Sequence, residues 1–241
     1  MGNLLEFKKF SAYYKQKKDY VVAVDEVSFT VDEGEILVLV GPSGCGKTTL
    51  LKSMLGMCAT TSGEAYFNGE TIKSAKKGDK QIAYVAQEYS LYPTMTVYEN
   101  IAFPLRIMHT PIDELDKRVR AMAKLLEIDW LLSRKPKQLS GGQHQRVAIA
   151  RALIKNPRII LFDEPFANLH PDLRFQMREL VKAIHKEQNV TVVFVTHDLS
   201  EAFALADRII VMKDGAIEQL GTPKEIEDNP TSKFVKEFFK K

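Results

Sequence analysis

The stretch that most constrains the fold is "EILVLVGPSGCGKTT", residues 35–49. An apolar, β-branched run ends in a glycine-rich turn, and the turn leads into the helix-like segment "TTLLKSML". The turn matches the pattern G-x-x-x-x-G-K-[ST] through Gly41, Gly46, Lys47 and Thr48. Because strand, spacing, lysine and threonine occur together, the stretch predicts a phosphate-binding loop (P-loop) rather than a glycine-rich turn without a ligand.

The chemistry of this P-loop follows from its residue types. Glycines allow backbone N–H groups to point inward at the α- and β-phosphates. The Lys47 ammonium would reach the β- and γ-phosphates, and the Thr48 hydroxyl would hold Mg²⁺. Cys45 lies near a helix N-terminus and is predicted to be either a reactive thiol of lowered pKa or an inert small residue. The predicted nucleotide-binding residues of the loop are Gly41, Pro42, Ser43, Gly44, Cys45, Gly46, Lys47, Thr48 and Thr49.

Two adjacent carboxylates follow a second buried run in "RIILFDEP", residues 158–165. Asp163 would lie at the carboxyl edge of a sheet, where open α/β sheets bind ligands, and would hold Mg²⁺. Glu164 would then act as the base toward the water that attacks the γ-phosphate. The alternative is that the pair only caps the turn before Pro165. The accompanying P-loop favours the catalytic interpretation.

Two further polar residues follow strand-like runs. Gln87 follows "QIAYVA", so its amide could reach a metal ion or a water at a strand end. His197 follows "VTVVFVT", and its imidazole could bond a γ-phosphate oxygen and the attacking water. Such residues are structural more often than not when they occur alone. Their predicted role depends on the motifs around them.

A second glycine turn occurs in "LSGGQHQRVAIARAL", residues 139–153, where it leads into a helix. Ser140, Gly141 and Gly142 would present backbone N–H groups at the helix start, where the helix dipole favours an anion. The sequence therefore predicts two phosphate-binding turns in one chain.

The remaining pattern indicates an α/β fold. The apolar runs 35–40, 158–162 and 190–196 are continuous, which is typical of parallel strands covered on both faces. Residues 21–31 alternate as a half-buried strand does, and Asn68-Gly69 is a hairpin signal. Apolar residues at helical spacing predict two amphipathic helices. These helices span Ile112–Glu127 and Asp172–Gln188, and an Asp-Gly hairpin and a short final helix close the chain.

Composition limits the partners and the compartment. The 34 basic residues nearly balance the 31 acidic ones. The basic runs Lys8–Lys18 and Lys233–Lys241 are expected to be solvated faces, so no nucleic-acid partner is predicted. No apolar run approaches the ~18 residues of a membrane span, and no cleavable signal opens the chain. Cys45 and Cys58 make no disulfide framework, which favours a reduced, cytosolic compartment.

The order of motifs resembles that of the ATP-binding cassette (ABC) family, the nucleotide-binding subunits of ABC transporters. The chain shows a P-loop, then Gln87 in "AYVAQEYSLYPTMTVYENIAFPL", then "LSGGQ", "ILFDEP", "ANLH" and "VTHD". The resemblance implies a P-loop NTPase fold of ABC type. In that fold a mainly parallel sheet is flanked by helices, with an N-terminal antiparallel β part and a helical signature subdomain. Residues 1–241 would form one ABC ATPase domain, with the helical subdomain inserted at roughly 88–157.

The resemblance also assigns roles to residues. Tyr14 would stack on adenine, although Tyr13 and Tyr20 remain possible from the spacing. Gln87 would link metal and water to the membrane partner, and His197 would be the switch histidine. Ser140, Gly142 and Gln143 would contact ATP, Thr48, Gln87 and Asp163 would hold the metal, and Ala167–His170 would be the loop that crosses between subunits. His170 departs from the family's usual Asp, which puts communication between the two sites in doubt.

Family membership would explain the two phosphate-binding turns, because two cassettes pack head to tail and each signature covers ATP held in the partner's P-loop. It implies ATP and Mg²⁺ as cofactors. The implied partners are membrane permease subunits, a second ABC ATPase subunit forming a homodimer, and a solute-binding protein. The chain would lie on the cytoplasmic side of the cell membrane as a peripheral subunit.

The segments "TMTVYENIAFPLR" and "IEQLGTP" favour importers of sugars, polyamines, iron and similar solutes, by resemblance only. Sugar importers of this kind usually continue into a regulatory domain of OB-like strands, whereas this chain stops at Lys241 as a naturally short cassette or a truncated one.

The alternative is a soluble ABC-type ATPase of DNA repair, chromosome maintenance or translation. Repair and maintenance types separate P-loop and signature by a long coiled coil, and translation types fuse two cassettes. A small-molecule kinase would leave "LSGGQ" and "VTHD" without a purpose.

Overall fold

The computed structural model describes residues 3–16, 19–58, 60–72, 81–167 and 169–240. The chain divides into two compact units, which we describe separately. The first unit comprises the described residues of Met1–Lys80 and Asn189–Lys241, and the inserted unit comprises those of Gln81–Gln188. Three sequence predictions fall partly outside the described residues: the first basic run at Lys17 and Lys18, the second basic run at Lys241, and the loop 167–170 at Asn168.

The chain forms ten strands and eight helices within the described residues. In chain order they are β1 (Asn3–Gln16), β2 (Asp19–Asp32), β3 (Ile36–Val40), α1 (Lys47–Met54), β4 (Thr60–Phe67), β5 (Glu70–Thr71), β6 (Ile82–Val85), α2 (Val97–Ile107), α3 (Ile112–Leu125), α4 (Gly141–Leu153), β7 (Ile159–Asp163), α5 (Pro171–Gln188), β8 (Thr191–Val195), α6 (Leu199–Leu205), β9 (Arg208–Lys213), β10 (Ala216–Gly221), α7 (Pro223–Asp228) and α8 (Lys233–Phe238). Short 3₁₀ turns occupy Asp129–Leu131 and Pro136–Gln138.

An antiparallel sheet in the first unit has the strand order β2-β1-β4-β5. The predicted strand over 21–31 is confirmed as the main part of β2, which pairs antiparallel with β1. Phe7 and Phe29 face each other in this register, with stacked rings whose centroids lie 4.8 Å apart. The predicted Asn68-Gly69 turn joins β4 to β5. Its φ values of 51° and 80° are both positive, as a mirror-image hairpin turn requires.

The first unit also contains a group of mainly parallel strands. β3 pairs in parallel with β8 on one side and β9 on the other, and β10 returns antiparallel to β9. All five residues of β3 and all five of β8 are buried, as their continuous apolar runs predicted. Arg208 at the start of β9 bonds both oxygens of the buried Glu35 carboxylate, at 2.7 and 2.9 Å.

The inserted unit combines the parallel pair β6–β7 with the longer helices of the chain. The two predicted amphipathic helices are confirmed as α3 and α5, with ends within two residues of the prediction. Helix α2 was not predicted from periodicity, because Pro104 lies inside it; a capping box between Thr96 and Glu99 starts it. The predicted α/β fold class is confirmed. No helix in the part of the chain that the structure describes is both long and apolar enough to cross a membrane.

Candidate nucleotide site

The P-loop connects β3 to α1 in the first unit, as the sequence predicted. Gly41 and Gly46 have φ values of 152° and 103°. A Cβ at Gly41 would lie 2.3 Å from the Met212 carbonyl oxygen, and one at Gly46 would lie 2.1 Å from that of Ala23. Neighbouring backbone therefore leaves no space for a larger residue at either position, and the loop wraps closely around the start of α1.

Lys47 places its ammonium inside this loop. Its Nζ donates to the carbonyl oxygens of Gly41 at 2.8 Å and Pro42 at 2.9 Å, and the residue is only 5% exposed. Lys47 is also the first residue of α1, so its positive charge adds to that of the helix N-terminus. A fixed cation and a helix N-terminus together form a site suited to a phosphate.

Cys45 corrects one sequence prediction. Burial raises the pKa of the Cys45 thiol, and the nearby Lys47 ammonium, 3.9 Å from the sulfur, offsets only part of that rise. The predicted lowered pKa is therefore wrong, because desolvation disfavours the thiolate more strongly than the cation favours it. The other interpretation, an inert small residue, agrees with a thiol that is 5% exposed.

The two carboxylates lie at the end of β7 in the inserted unit. Asp163 is buried, and the Tyr84 hydroxyl of the adjacent strand β6 donates to its Oδ2 at 2.9 Å. Burial and the Asp163 charge raise the pKa of Tyr84, so the phenol stays protonated and keeps donating. Glu164 follows with a φ of 46°, a left-handed conformation that is uncommon for a residue with a Cβ and is frequent at functional sites.

The signature turn, residues 139–143, caps its own helix. The Ser140 Oγ accepts from the Gln143 backbone N–H at 3.4 Å, and the Gln143 Oε1 accepts from the Ser140 N–H at 3.0 Å. This capping box holds the backbone at the start of α4. A Cβ at Gly141 would meet a Leu169 methyl at 3.4 Å, and one at Gly142 would meet a Leu173 methyl at 3.5 Å.

Comparison with known proteins identifies the family of this chain. A family model described as "ABC transporter" matches residues 24–167. The chain belongs to the ABC transporter family. An sn-glycerol-3-phosphate import ATP-binding protein UgpC of Bartonella quintana (strain Toulouse) is 49% identical over 93% of this chain, which spans 64% of that protein. A trehalose/maltose import ATP-binding protein MalK of Thermococcus litoralis is 46% identical over 90% of this chain, which spans 60% of that protein.

A solved structure agrees with the fold of this ABC transporter chain. A dimeric post-hydrolysis state of the ATP-binding cassette MJ0796, bound to ADP and Pi, superposes with a TM-score of 0.81 at 34% sequence identity. The match covers 90% of this chain and 98% of that one. The mainly parallel sheet, the antiparallel sheet and the helices described above are therefore those of an ABC cassette.

The remaining predicted residues of this ABC transporter chain lie in loops and at strand ends. His197 is exposed after β8, next to a tight turn in which Thr196 donates to the Glu201 carboxylate at 2.6 Å. Gln87 is exposed after β6. Asp198 caps α6 through the Ser200 N–H at 2.8 Å. The tight capping of α6 fixes the backbone that carries His197.

The three tyrosines that could contact adenine differ in their surroundings. Tyr14 is 45% exposed and Tyr20 is 58% exposed. The Tyr13 hydroxyl lies 3.2 Å from the Ser62 hydroxyl, within hydrogen-bonding distance. Tyr14 and Tyr20 thus offer exposed rings, whereas Tyr13 is tied to β4.

In the loop 167–170, Arg174 holds the described backbone. Its Nε donates to the Leu169 carbonyl at 2.9 Å and its Nη2 to that of Ala167 at 3.3 Å. His170 is exposed just before α5, and its carbonyl accepts from the Arg174 N–H at 3.0 Å. An arginine on the following helix therefore fixes the loop.

Each unit gathers part of the predicted set. The first unit holds the P-loop, Tyr14 and His197, and the inserted unit holds Gln87, Asp163, Glu164 and the signature turn. Sequence analysis missed two residues. Tyr84 contacts the Asp163 carboxylate, and Arg151 contacts the loop after Gln87. Their only local signal was a polar group within an apolar pattern. Among the described residues no three His, Cys, Asp or Glu side chains cluster as a metal site.

Proposed function

We propose that this chain is the ATP-binding and ATP-hydrolysing subunit of an ABC transporter that powers solute import through partner membrane subunits. The observation that carries the proposal is the P-loop, with Lys47 fixed inside it and glycines that the backbone requires. The names of the relatives, importers of glycerol-3-phosphate and of trehalose and maltose, support sugars and sugar-related phosphates as the solute class.

ATP would bind with its phosphates in the P-loop and its adenine on an aromatic ring. We assign the ring to Tyr14, whose exposed face in β1 supports the role. The proposed phosphate contacts are made by Gly41, Pro42, Ser43, Gly44, Cys45, Gly46, Lys47, Thr48 and Thr49. The ADP and Pi bound to MJ0796 support a nucleotide in the same fold.

The donor set suits Mg²⁺. Thr48, Asp163 and Gln87 would supply hydroxyl, carboxylate and amide oxygens, the hard ligands that Mg²⁺ prefers alongside nucleotide phosphates. Tyr84 supports this by holding one Asp163 oxygen at 2.9 Å and thereby fixing the carboxylate plane. Bound Mg²⁺ would supply charge neutralisation at the β- and γ-phosphates.

Hydrolysis would proceed by attack of water on the γ-phosphorus, while the bond from that phosphorus to the β–γ bridging oxygen breaks. Glu164 accepts the proton of the attacking water, and ADP leaves with the electron pair of the broken bond. His197 bonds a γ-phosphate oxygen, and Gln87 orients the water and communicates with the membrane partner. The left-handed backbone of Glu164 supports a functional constraint there.

The working unit would be a head-to-tail homodimer bound peripherally to its membrane subunits, on their cytoplasmic side. Ser140, Gly142 and Gln143 would contact ATP held in the partner's P-loop, and residues 167–170 would cross between subunits. The dimeric MJ0796 structure supports the dimer. A solute-binding protein would complete the importer, as the relatives' names as import proteins support.

Glu164→Gln tests this function, because glutamine keeps the shape of the side chain but cannot take a proton. We expect steady-state ATP turnover to fall by about 10² or more while ATP still binds. Glu187→Gln, which removes an exposed carboxylate at the end of α5, serves as the matched control and should turn over normally. Near-normal turnover of Glu164→Gln would remove this residue from its role as base.

A further inference from the structure

We propose that Arg151 is a positioning residue that fixes the loop after Gln87 to helix α4, which begins at the signature turn. We call residues 87–92 the Gln87 loop, and its residues 89–92 then move as one body with α4. The contacts that define this clamp all lie inside the inserted unit. The consequence for catalysis rests on the role of Gln87 given above.

The guanidinium of Arg151 binds the loop at three points. Its Nη1 donates to the Ser90 carbonyl at 2.8 Å, and its Nη2 donates to the Tyr89 carbonyl at 3.1 Å. Its central carbon lies 5.4 Å from the centre of the Tyr92 ring, which adds a cation–π contact. The guanidinium bridges two successive carbonyls from two separate nitrogen atoms held in one rigid plane, a geometry that the single nitrogen of a lysine does not reproduce.

The bound carbonyls belong to two strained residues. Tyr89 and Ser90 have φ values of 59° and 49°, so two successive residues with side chains adopt the left-handed conformation. Such conformations persist only where the surroundings enforce them. Arg151 engages the carbonyl of each, so it is the side chain placed to enforce them.

A second contact from the same face of α4 reaches the same loop. The Tyr89 ring stacks on the His144 ring, with centroids 5.8 Å apart and planes inclined by 22°. His144 and Arg151 are two helical turns apart on one face of α4. The helix therefore holds the loop along its length, from a position next to the signature turn to its last turn.

The charge of Arg151 is committed to this contact. Burial lowers the pKa of Arg151, yet a guanidinium stays protonated at neutral pH. In the described part of the inserted unit Arg151 forms no ion pair with a carboxylate, and the groups that contact its guanidinium there are the two carbonyl oxygens and the Tyr92 ring.

The far end of the loop is anchored independently. The buried Asn100 of α2 accepts from the Tyr92 N–H at 2.8 Å and donates to the Tyr92 carbonyl at 3.1 Å. Residues 89–92 are thus fixed to α4 and α2, and Gln87 stands just outside the fixed part. A displacement of α4 that begins at the signature turn would be passed through Arg151 to the backbone that positions Gln87.

Arg151→Met tests the clamp, since methionine keeps much of the length but has no donor. We expect amide hydrogen exchange at Tyr89 and Ser90 to accelerate at least tenfold, because their N–H bonds to Ala86 and Glu88 depend on the left-handed turn. Arg151→Lys should give an intermediate rate and guards against a variant that fails to fold. Unchanged exchange in both variants would overturn the proposal.

Arg146→Met is the matched control on the same helix. Arg146 donates to the Leu126 carbonyl and to the Glu127 carboxylate, each at 2.8 Å, so its hydrogen bonds lead away from the loop. Its substitution should accelerate exchange near residue 127 and leave residues 89–92 unchanged. Acceleration at 89–92 in this control would show general loosening of α4 and would overturn a specific role for Arg151.

Kinetics test the positioning role. We expect Arg151→Met to lower kcat for ATP about tenfold while the ATP dissociation constant stays within twofold. Combined with Gln87→Ala, it should cause no further loss, because both act on one element. A normal kcat together with fast loop exchange would overturn positioning. A normal kcat in Gln87→Ala alone would instead contradict the proposed function, and the exchange data would still decide the clamp.

Discussion

Two glycine turns start helices in this chain, and they differ in what makes glycine necessary. In the P-loop, a Cβ at Gly46 or Gly41 would lie 2.1 or 2.3 Å from backbone oxygen of the same unit. In the signature turn, a Cβ at Gly142 would make an ordinary contact with a Leu173 methyl at 3.5 Å. The chain itself requires glycine in the first turn, whereas we attribute glycine in the second to a ligand or partner.

The helix caps show the same contrast. Gly46 precedes α1 in a left-handed conformation and has no side chain with which to cap it. Ser140 and Gln143 cap α4 reciprocally. The first N–H groups of α1 therefore remain available to an anion. At the start of α4, by contrast, the helix's own side chains cap the terminus and fix its backbone. Four predictions probe this difference, beginning with the largest effect.

Gly46→Ala should remove ATP binding and destabilise the first unit. We expect the free energy of unfolding to fall by about 3 kcal/mol or more, because overpacking adds to the left-handed backbone cost. Gly44→Ala is the matched control, since its φ of 82° is also left-handed but a Cβ there meets nothing within 4 Å. It should lose only about 1–2 kcal/mol. Equal losses in urea unfolding would contradict a steric requirement at Gly46.

Gly142→Ala should have the opposite profile. Alanine suits the first turn of a helix better than glycine, so stability should hold or rise by up to about 1 kcal/mol. Turnover should fall about tenfold or more, because an added methyl group would displace the partner's ATP from the contact that we propose for Gly142. A stable variant with normal turnover would show that Gly142 is not a ligand contact.

The contrast also explains which features the sequence revealed. Strand, turn and helix signals that lie within a few residues of one another predicted the P-loop, both hairpins and the helices α3 and α5. Contacts between distant positions were not predictable. The bond from Tyr84 to Asp163 spans 79 positions and that from Arg151 to Ser90 spans 61.

The predicted lowered pKa of Cys45 was wrong for a related reason. Its predicted reactivity used the neighbouring helix terminus, which is visible in the sequence, but the pKa depends first on burial, which is a property of the whole fold. Local pattern thus predicted where the turn lies and which groups it carries. It did not predict how far each group is removed from water.

Alkylation can measure how far the Cys45 thiol is removed from water in the P-loop. Because burial raises the pKa of Cys45, less thiolate is present at neutral pH, and the labelling rate should rise about tenfold per pH unit up to above pH 9. A thiol placed in the exposed signature position by Ser140→Cys, in a chain lacking Cys45 and Cys58, should label at least tenfold faster at pH 7. Cys58→Ser isolates Cys45. Fast, pH-independent labelling of Cys45 would contradict the burial of its thiol in the P-loop.

The smallest expected effect, a factor of two, decides whether the two turns serve one site. One chain carries Lys47→Ala, which damages the P-loop, and the other carries Ser140→Arg, which damages the signature turn. In a two-fold dimer, sites shared between subunits leave one site doubly damaged and one intact, whereas sites within a chain leave none intact.

Both chains also carry Glu164→Gln to prevent loss of ATP by hydrolysis, and a flexible linker joins them, because one intact site holds a dimer weakly. We expect the tethered pair to retain about one tightly bound ATP, against about two for a tethered pair carrying Glu164→Gln alone. Each damaged homodimer should retain little. Circular dichroism and urea unfolding establish that the pair is folded. A folded pair that retains no ATP would mean that the signature turn acts within its own chain, and the difference between the two turns would then need another cause than a partner's nucleotide.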